Sequence, residues 1–392
     1  MNQPAPDLPT TGAPTDAEVW LVHREVVLLL MLVAAAAAGF LVTRSAASVD
    51  RSIRLADARQ WHARGLAARD ADSLEVAVTS LRRAVTMDRD NSRYVLDLAD
   101  ALWAANRPQE ARELLSSLRV REPDDAEINL RLARLEAVGS DLDAAVRFYQ
   151  AAIAALWPES EGERRRAIRF ELVELLLARQ HRSRALSELI LLAADSPEDE
   201  SSQVRLGQLM LQAGDAARAS AIFTRVLEAA PRNAAALSGA GEAAFALADY
   251  ALALRYLSAA PGDVGADLRS TAAAVLSRDP LQPRLGAAER RRRITAVLTD
   301  VVGAADSCLA GRVPPDDAAT AAVRQRRDEA VRTPWLTAGP RRPAVPADRD
   351  DLEDALVLAA RLADGLAEAG CPSGALQRAL PLIAKRHELA LQ

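Results

Sequence analysis

The side chains that carry chemistry in proteins are few here and stand apart. Four histidines, His23, His62, His181 and His387, are widely separated. No H-E-x-x-H spacing sets two imidazoles on one helical face to hold zinc. The two cysteines, Cys308 and Cys371, are too few for a zinc cluster or a disulfide-rich scaffold. Each lies beside a predicted turn, so one reading joins them in a disulfide and the other leaves two small buried hydrophobes. The glycine-rich loops that cradle phosphates and the G-x-S-x-G turn that presents a nucleophile are absent from the sequence. Asp350-Asp351 and Glu353-Asp354 open a predicted helix, where carboxylates suit the positive end of the dipole. Arg164 to Arg166 and Arg290 to Arg293 can meet an anion but read first as solvated helical turns. No catalytic, metal-ligating or cofactor-binding residue is expected, so the chain is not expected to be an enzyme or to carry a cofactor.

Composition points to the elements that must position any surface function. Half of the 392 residues are apolar and only 4% are aromatic, with alanine supplying much of the apolar share. Such a chain favours helix and excludes an all-β fold. The net charge of −5 argues against a nucleic-acid partner. Lys385 is the one lysine, a sign of GC-rich coding.

Residues 1–25 carry four prolines among small polar residues and predict a disordered tail. Val26 to Val42 has no polar side chain, and as a helix it covers roughly 25 Å, close to a bilayer core. A single transmembrane helix over 26–43 is expected, with a cleaved signal peptide as the alternative. The compartment stays open. Arg44, Arg51, Arg54 and Arg59 favour a cytoplasmic C-terminal part, whereas a cysteine pair suits an oxidising one.

From about Ala58 the chain keeps a regular beat. Alanines stand at Ala77, Ala111, Ala145, Ala185, Ala219 and Ala253, at spacings of 34, 34, 40, 34 and 34. Twelve residues before each lies Gly65, Ala99, Ala133, Val173, Gly207 or Gly241, and four after each lies Leu81, Leu115, Tyr149, Leu189, Phe223 or Leu257. Pro123, Pro158, Pro197, Pro231 and Pro261 close units. On these residues, residues 58–267 resemble six units of the tetratricopeptide repeat family. The resemblance implies an all-α superhelical solenoid of helix pairs. In each pair the small residue is expected against the alanine, and the large residue against the next pair. The 40-residue step predicts an insertion near Ser160–Arg165 in the turn or the fourth first helix.

Residues 268–285 read as a capping helix without a partner, followed by a linker. A second helical module, packed against or hinged to the end of the solenoid, is expected over 286–392, interrupted by the proline-rich connector Arg332 to Asp348, whose proline density excludes helix.

By the family's precedent, the fifth and ninth residues of each unit line a groove that holds a protein or peptide. The fifth are His62, Leu96, Leu130, Phe170, Val204 and Ser238. The ninth are Leu66, Asp100, Arg134, Glu174, Gln208 and Glu242. The apolar strip reads equally as core between repeats. The lysines and asparagines of the family's carboxylate clamp are missing from these positions, which disfavours chaperone tails. The expectation is a scaffold anchored once in the inner membrane, in a bacterial envelope assembly or biogenesis complex, with no small-molecule substrate. The alternative is an enzyme whose C-terminal module is catalytic and whose repeats select substrate.

Overall fold

The computed structural model describes residues 16–157, 161–195, 199–310, 318–337 and 348–389. Every element among them is a helix. The chain divides into two compact units, residues 1–168 and 169–392. Residues 1–15, Pro158, Ser160, Pro197 and residues 338–347 of the Arg332–Asp348 connector lie outside the described residues. Within the connector, Pro334–Thr337 corrects the expected absence of helix, since proline fits the first turn, where its missing N–H is not needed.

The first unit holds α1 (Asp16–Asp70), α2 (Leu74–Met87), α3 (Ser92–Ala104), α4 (Pro108–Arg121), α5 (Ala126–Val138) and α6 (Leu142–Ala154), each packed on its neighbour in sequence. α1 corrects the expected tail: residues 16–25 are helical. Pro14 is the last proline before them, and adding turns to an existing helix carries no fresh nucleation cost. The same helix supplies the first helix of the first repeat, whose burial begins at Ala58.

The second unit takes the end of α7 (Glu161–Ala178) and then α8 (Arg182–Ala194), α9 (Glu200–Ala213), α10 (Ala216–Ala229), α11 (Ala234–Ala246), α12 (Tyr250–Ala259) and α13 (Ala266–Arg278). Stacking again follows sequence order from α8 to α13. At 18 residues, α7 is longer than the other first helices after α1, so the extra residues lengthen that helix.

All six beat alanines are fully buried, and so, nearly, are the large residues four positions on. The partner of the small residue is not the expected one. A Cβ built on Gly65 would stand 2.5 Å from Leu81 Cγ, one on Gly207 2.7 Å from Phe223 Cζ, and one on Gly241 2.5 Å from Leu257 Cγ. The small residue therefore makes room for the large residue sixteen positions later in its own pair. Phe223 also presses on Gly239 of the next pair.

Side-chain caps set the helix starts. Asp125, Asp141, Asp199, Asp215, Asn233 and Asp249 each accept a hydrogen bond from a backbone N–H three residues on. Five of the six first helices end in a left-handed residue five before the beat alanine, namely Asp72, Asn106, Gln180, Gly214 and Ala248, whereas α5 ends at an extended Gly139. The following N–H then reaches back five residues, as from Arg107 to Leu102 (2.8 Å) and from Asp249 to Ala244 (2.9 Å). Only Gly214 takes this conformation without a steric penalty.

The last elements are α14 (Ala287–Ala310), α15 (Ala318–Val331), α16 (Pro334–Thr337), α17 (Arg349–Glu368) and α18 (Ala375–Arg386). They correct the expected lone cap. α18 packs along α13, and Arg378 donates to Thr271 Oγ1 at 3.1 Å and to Asp267 Oδ1 at 3.0 Å. α13 and α18 thus form one more helix pair, with α14 to α17 inserted between its halves. Ala379 and Ile383, four apart and fully buried, repeat the spacing of a beat alanine and its large residue. One hydrophobic core takes in Tyr250 and Ala253 of the sixth repeat, Val275, Ile294, Leu356 and Ile383. Through this core residues 286–392 pack against the sixth repeat. A disulfide joins Cys308 and Cys371, with Cα atoms 5.9 Å apart.

Candidate protein-binding groove

The fifth positions are closed. Leu96, Leu130, Phe170, Val204 and Ser238 are buried, because first helices of successive pairs approach each other, as α1 does α3 and α9 does α11. They pack helix on helix and do not face a partner. His62 is also held: its Nε2 lies 2.7 Å from Oδ2 of the buried Asp97, and its ring stacks on Tyr94 at 4.4 Å. Arg93 donates to the same oxygen at 3.1 Å.

The ninth positions keep more of their surface, and their charges are matched locally. Arg131 grips Asp100 with two hydrogen bonds of 2.9 and 3.0 Å and also pairs with Glu127. Burial works against the Arg131 charge, but the bonds and charges of Asp100 and Glu127 outweigh it and raise its pKa. Arg205 donates to Glu174 from Nε at 3.0 Å and lies 4.6 Å from the centre of the Phe170 ring. In both pairs the arginine follows the acid by 31 residues, placing sixth against ninth positions of successive units. That spacing was available in the sequence. Arg134 and Glu242 are half-buried, Ser238 donating to Glu242 at 3.3 Å, while Gln208 is exposed. Leu66 is half-buried as well.

One further turn along the first helices lies a column that the fifth-and-ninth rule passes over. Residues three on from the ninth share its helix face. In the first unit they are Arg69, Trp103 and Ala137; in the second, Leu177, Leu211 and Phe245, all half-buried. Between the fourth and fifth repeats this face opens into a pocket of 440 Å³ lined by Glu174, Leu177, Ala178, Gln180, Arg182 and Gln212. Two apolar side chains, two amides and one ion of each sign suit contact with an amphipathic segment.

Elsewhere in the second unit, a 630 Å³ cavity lies between α15, α16 and α17. Trp335 and Leu358 line it together with Glu329, Asp351, Asp354 and Arg361. No cluster of histidine, cysteine or carboxylate able to hold a metal occurs among the described residues. The arginine run at the start of α14 is structural. Arg293 Nη1 donates to the carbonyls of Leu276 and Asp279 at 3.2 and 3.0 Å, and Arg292 pairs with Glu289. Arg164 likewise pairs with Glu127 and lies over Trp157.

The tetratricopeptide repeat model matches residues 68–135 and again residues 204–267. No curated protein matches the chain. Among solved structures it is similar to the MamA protein, at 17% identity over 44% of this chain and 91% of that one, with a TM-score of 0.36. It is also similar to a tetratricopeptide repeat protein from Parabacteroides merdae, at 12% identity over 61% and 91% of the two chains, with a TM-score of 0.39. The yeast Sti1 TPR2AB domain in its pHSP90 complex is a third, at 16% identity over 52% and 88%, with a TM-score of 0.25. At these scores the likeness carries no function across. The matches cover the helix pairs in which Ala77, Ala111, Ala219 and Ala253 are buried, and over residues 68–135 and 204–267 the chain carries tetratricopeptide repeats.

Proposed function

We propose that this protein is a membrane-anchored scaffold that holds a protein or peptide segment against the first helices of its repeats, in a bacterial envelope assembly or biogenesis complex. The observation that supports this reading is the pocket at Glu174, Leu177 and Gln212, lined by first-helix residues at and beyond the ninth position. Because Asp100 and Glu174 are already matched by arginines, selection rests on apolar shape more than on charge. In the second unit Glu174, Gln208 and Glu242 frame the contact, and Leu177, Leu211 and Phe245 supply its apolar side. The anchor is α1. Its apolar stretch is long enough to cross a bilayer, with a mean hydropathy of 2.2, and none of it is buried against the rest of the chain. A soluble core helix would be covered.

The test is photocrosslinking of the full chain in intact membranes. A probe at Gln212 or Gln208 should give discrete adducts, a probe at Glu228 on α10 should not, and Leu177→Glu should abolish the Gln212 adduct. Equal adducts from Gln212 and Glu228, or adducts indifferent to Leu177→Glu, refute the groove.

A second reading, an enzyme with its chemistry in 286–392, has the 630 Å³ cavity in its favour, since that volume suits a small molecule. Turnover of a small cationic substrate by the full chain, lost in Asp354→Asn, would replace the scaffold reading.

A further inference from the structure

We infer that the Cys308–Cys371 disulfide forms in the cell and places the repeats, with everything that follows α1, on the oxidising, extracytoplasmic side of the membrane. The membrane part of this statement rests on the anchor proposed above; the compartment does not. These are the only two cysteines in 392 residues, and the fold brings them together from positions 63 apart in sequence. Their Cα separation of 5.9 Å lies within the range that a disulfide spans without backbone movement. Cys308 stands near the end of α14, and Cys371 in the turn between α17 and α18. The bond thus fastens the inserted helices to the base of α18, the helix that completes the pair begun by α13. Both cysteines border the same hydrophobic core.

Formation is a thiol–disulfide exchange. A Cys thiolate attacks the disulfide of a protein thiol oxidant, giving a mixed disulfide, and the second Cys thiolate displaces the oxidant as a dithiol. The Sγ–Sγ bond forms, the oxidant's S–S bond breaks, and the two electrons pass to its sulfurs. The two thiol protons end on the reduced oxidant. Such bonds persist in extracytoplasmic compartments and are reduced in the cytosol. Arg44, Arg51, Arg54 and Arg59 pull the other way. That bias governs short loops, however, and long domains are exported largely regardless of it; residues 44–392 are a long domain. The partner in the groove is then an extracytoplasmic protein or the extracytoplasmic part of a membrane protein.

The test uses the full chain in a bacterial host, fused at its C-terminus to alkaline phosphatase, which folds only where disulfides form, or to green fluorescent protein. Active phosphatase, a dark fluorescent fusion, and cysteines that alkylate only after reduction are expected. Alkylation without reductant should rise severalfold in a host lacking its envelope thiol oxidase. A fluorescent fusion with both thiols alkylated directly overturns the inference. Carbonate washing separates this from the anchor: active phosphatase in the wash refutes the anchor and keeps the compartment. A fluorescent, pelleted chain keeps the anchor and refutes the compartment.

Discussion

Gly239→Ala should destabilise the second unit although alanine is the better helix former. The Phe223 ring is fully buried between two glycines. A Cβ on Gly239 would stand 2.3 Å from Cζ and 2.6 Å from both Cε atoms, and a Cβ on Gly207, across the ring, 2.7 Å from Cζ. Both helices crowd the tip of the ring, which leaves it little room to give way. Alanine returns about 1 kcal/mol of helix propensity. Over-packing a filled core costs about 1–3 kcal/mol, and a contact this short on a pinned ring belongs at the upper end. The expected net loss is about 1–2 kcal/mol, or about 2–8 °C in Tm for a unit of this size. Calorimetry and urea unfolding of the full chain in detergent read it. Gly303→Ala is the control: it lies within α14, exposed, with nothing within 4 Å of the added Cβ, and should gain stability. In a Phe223→Leu background the alanine penalty should vanish, a coupling of about 1–3 kcal/mol. If Gly239→Ala melts at or above the parent, or Phe223→Leu leaves the penalty unchanged, the packing of Phe223 against the next pair at Gly239 is refuted.

Two other substitutions test local features. Ala248→Gly removes an alanine from a left-handed site at φ 60° and should raise stability by about 0.5–1 kcal/mol after the unfolded-state entropy of glycine, read as a higher urea midpoint; no change would deny the strain. Asp199 is held down to about 2, from 3.8, by bonds from the Ser201 hydroxyl and from the Ser202 hydroxyl and backbone N–H. Because its folded pKa lies below its unfolded one, its contribution is present above about pH 4 and is lost as pH falls towards 2. Asp199→Ala should cost about 1 kcal/mol at neutral pH. Asp199→Asn caps without titrating, so the stability gap between it and the parent should shift across that acid window, and a constant gap would contradict the assignment.

The beat of small and large residues was legible because close helix packing leaves few side-chain choices at a crossing. Ala77 to Ala253 are buried where that spacing puts them. Which surfaces meet was less legible. The Gly207–Phe223 contact depends on the crossing geometry of two helices, which a one-dimensional period does not contain. The left-handed turns at Asp72, Asn106, Gln180 and Ala248 carry no glycine, so only Gly214 announced them. The groove strip failed for a related reason: Leu96, Leu130, Phe170 and Val204 serve the stack, and the same apolar character fits either role. The partnership of α13 with α18 lay beyond reading, because a helix carries no local mark of a partner so far along the chain.

That split pair has a consequence for synthesis. When Arg278 leaves the ribosome, the helix that will cover Ala272 and Val275 has not been made. At about 5–20 residues per second, translation needs about 5–20 s more to reach α18. For that interval the nascent chain shows a bare apolar edge, and a stop codon anywhere in the intervening stretch would make the exposure permanent. Proofreading of truncated products is thereby built into the order in which the chain is made: only a message read through α18 covers the α13 edge that a holdase or protease would find.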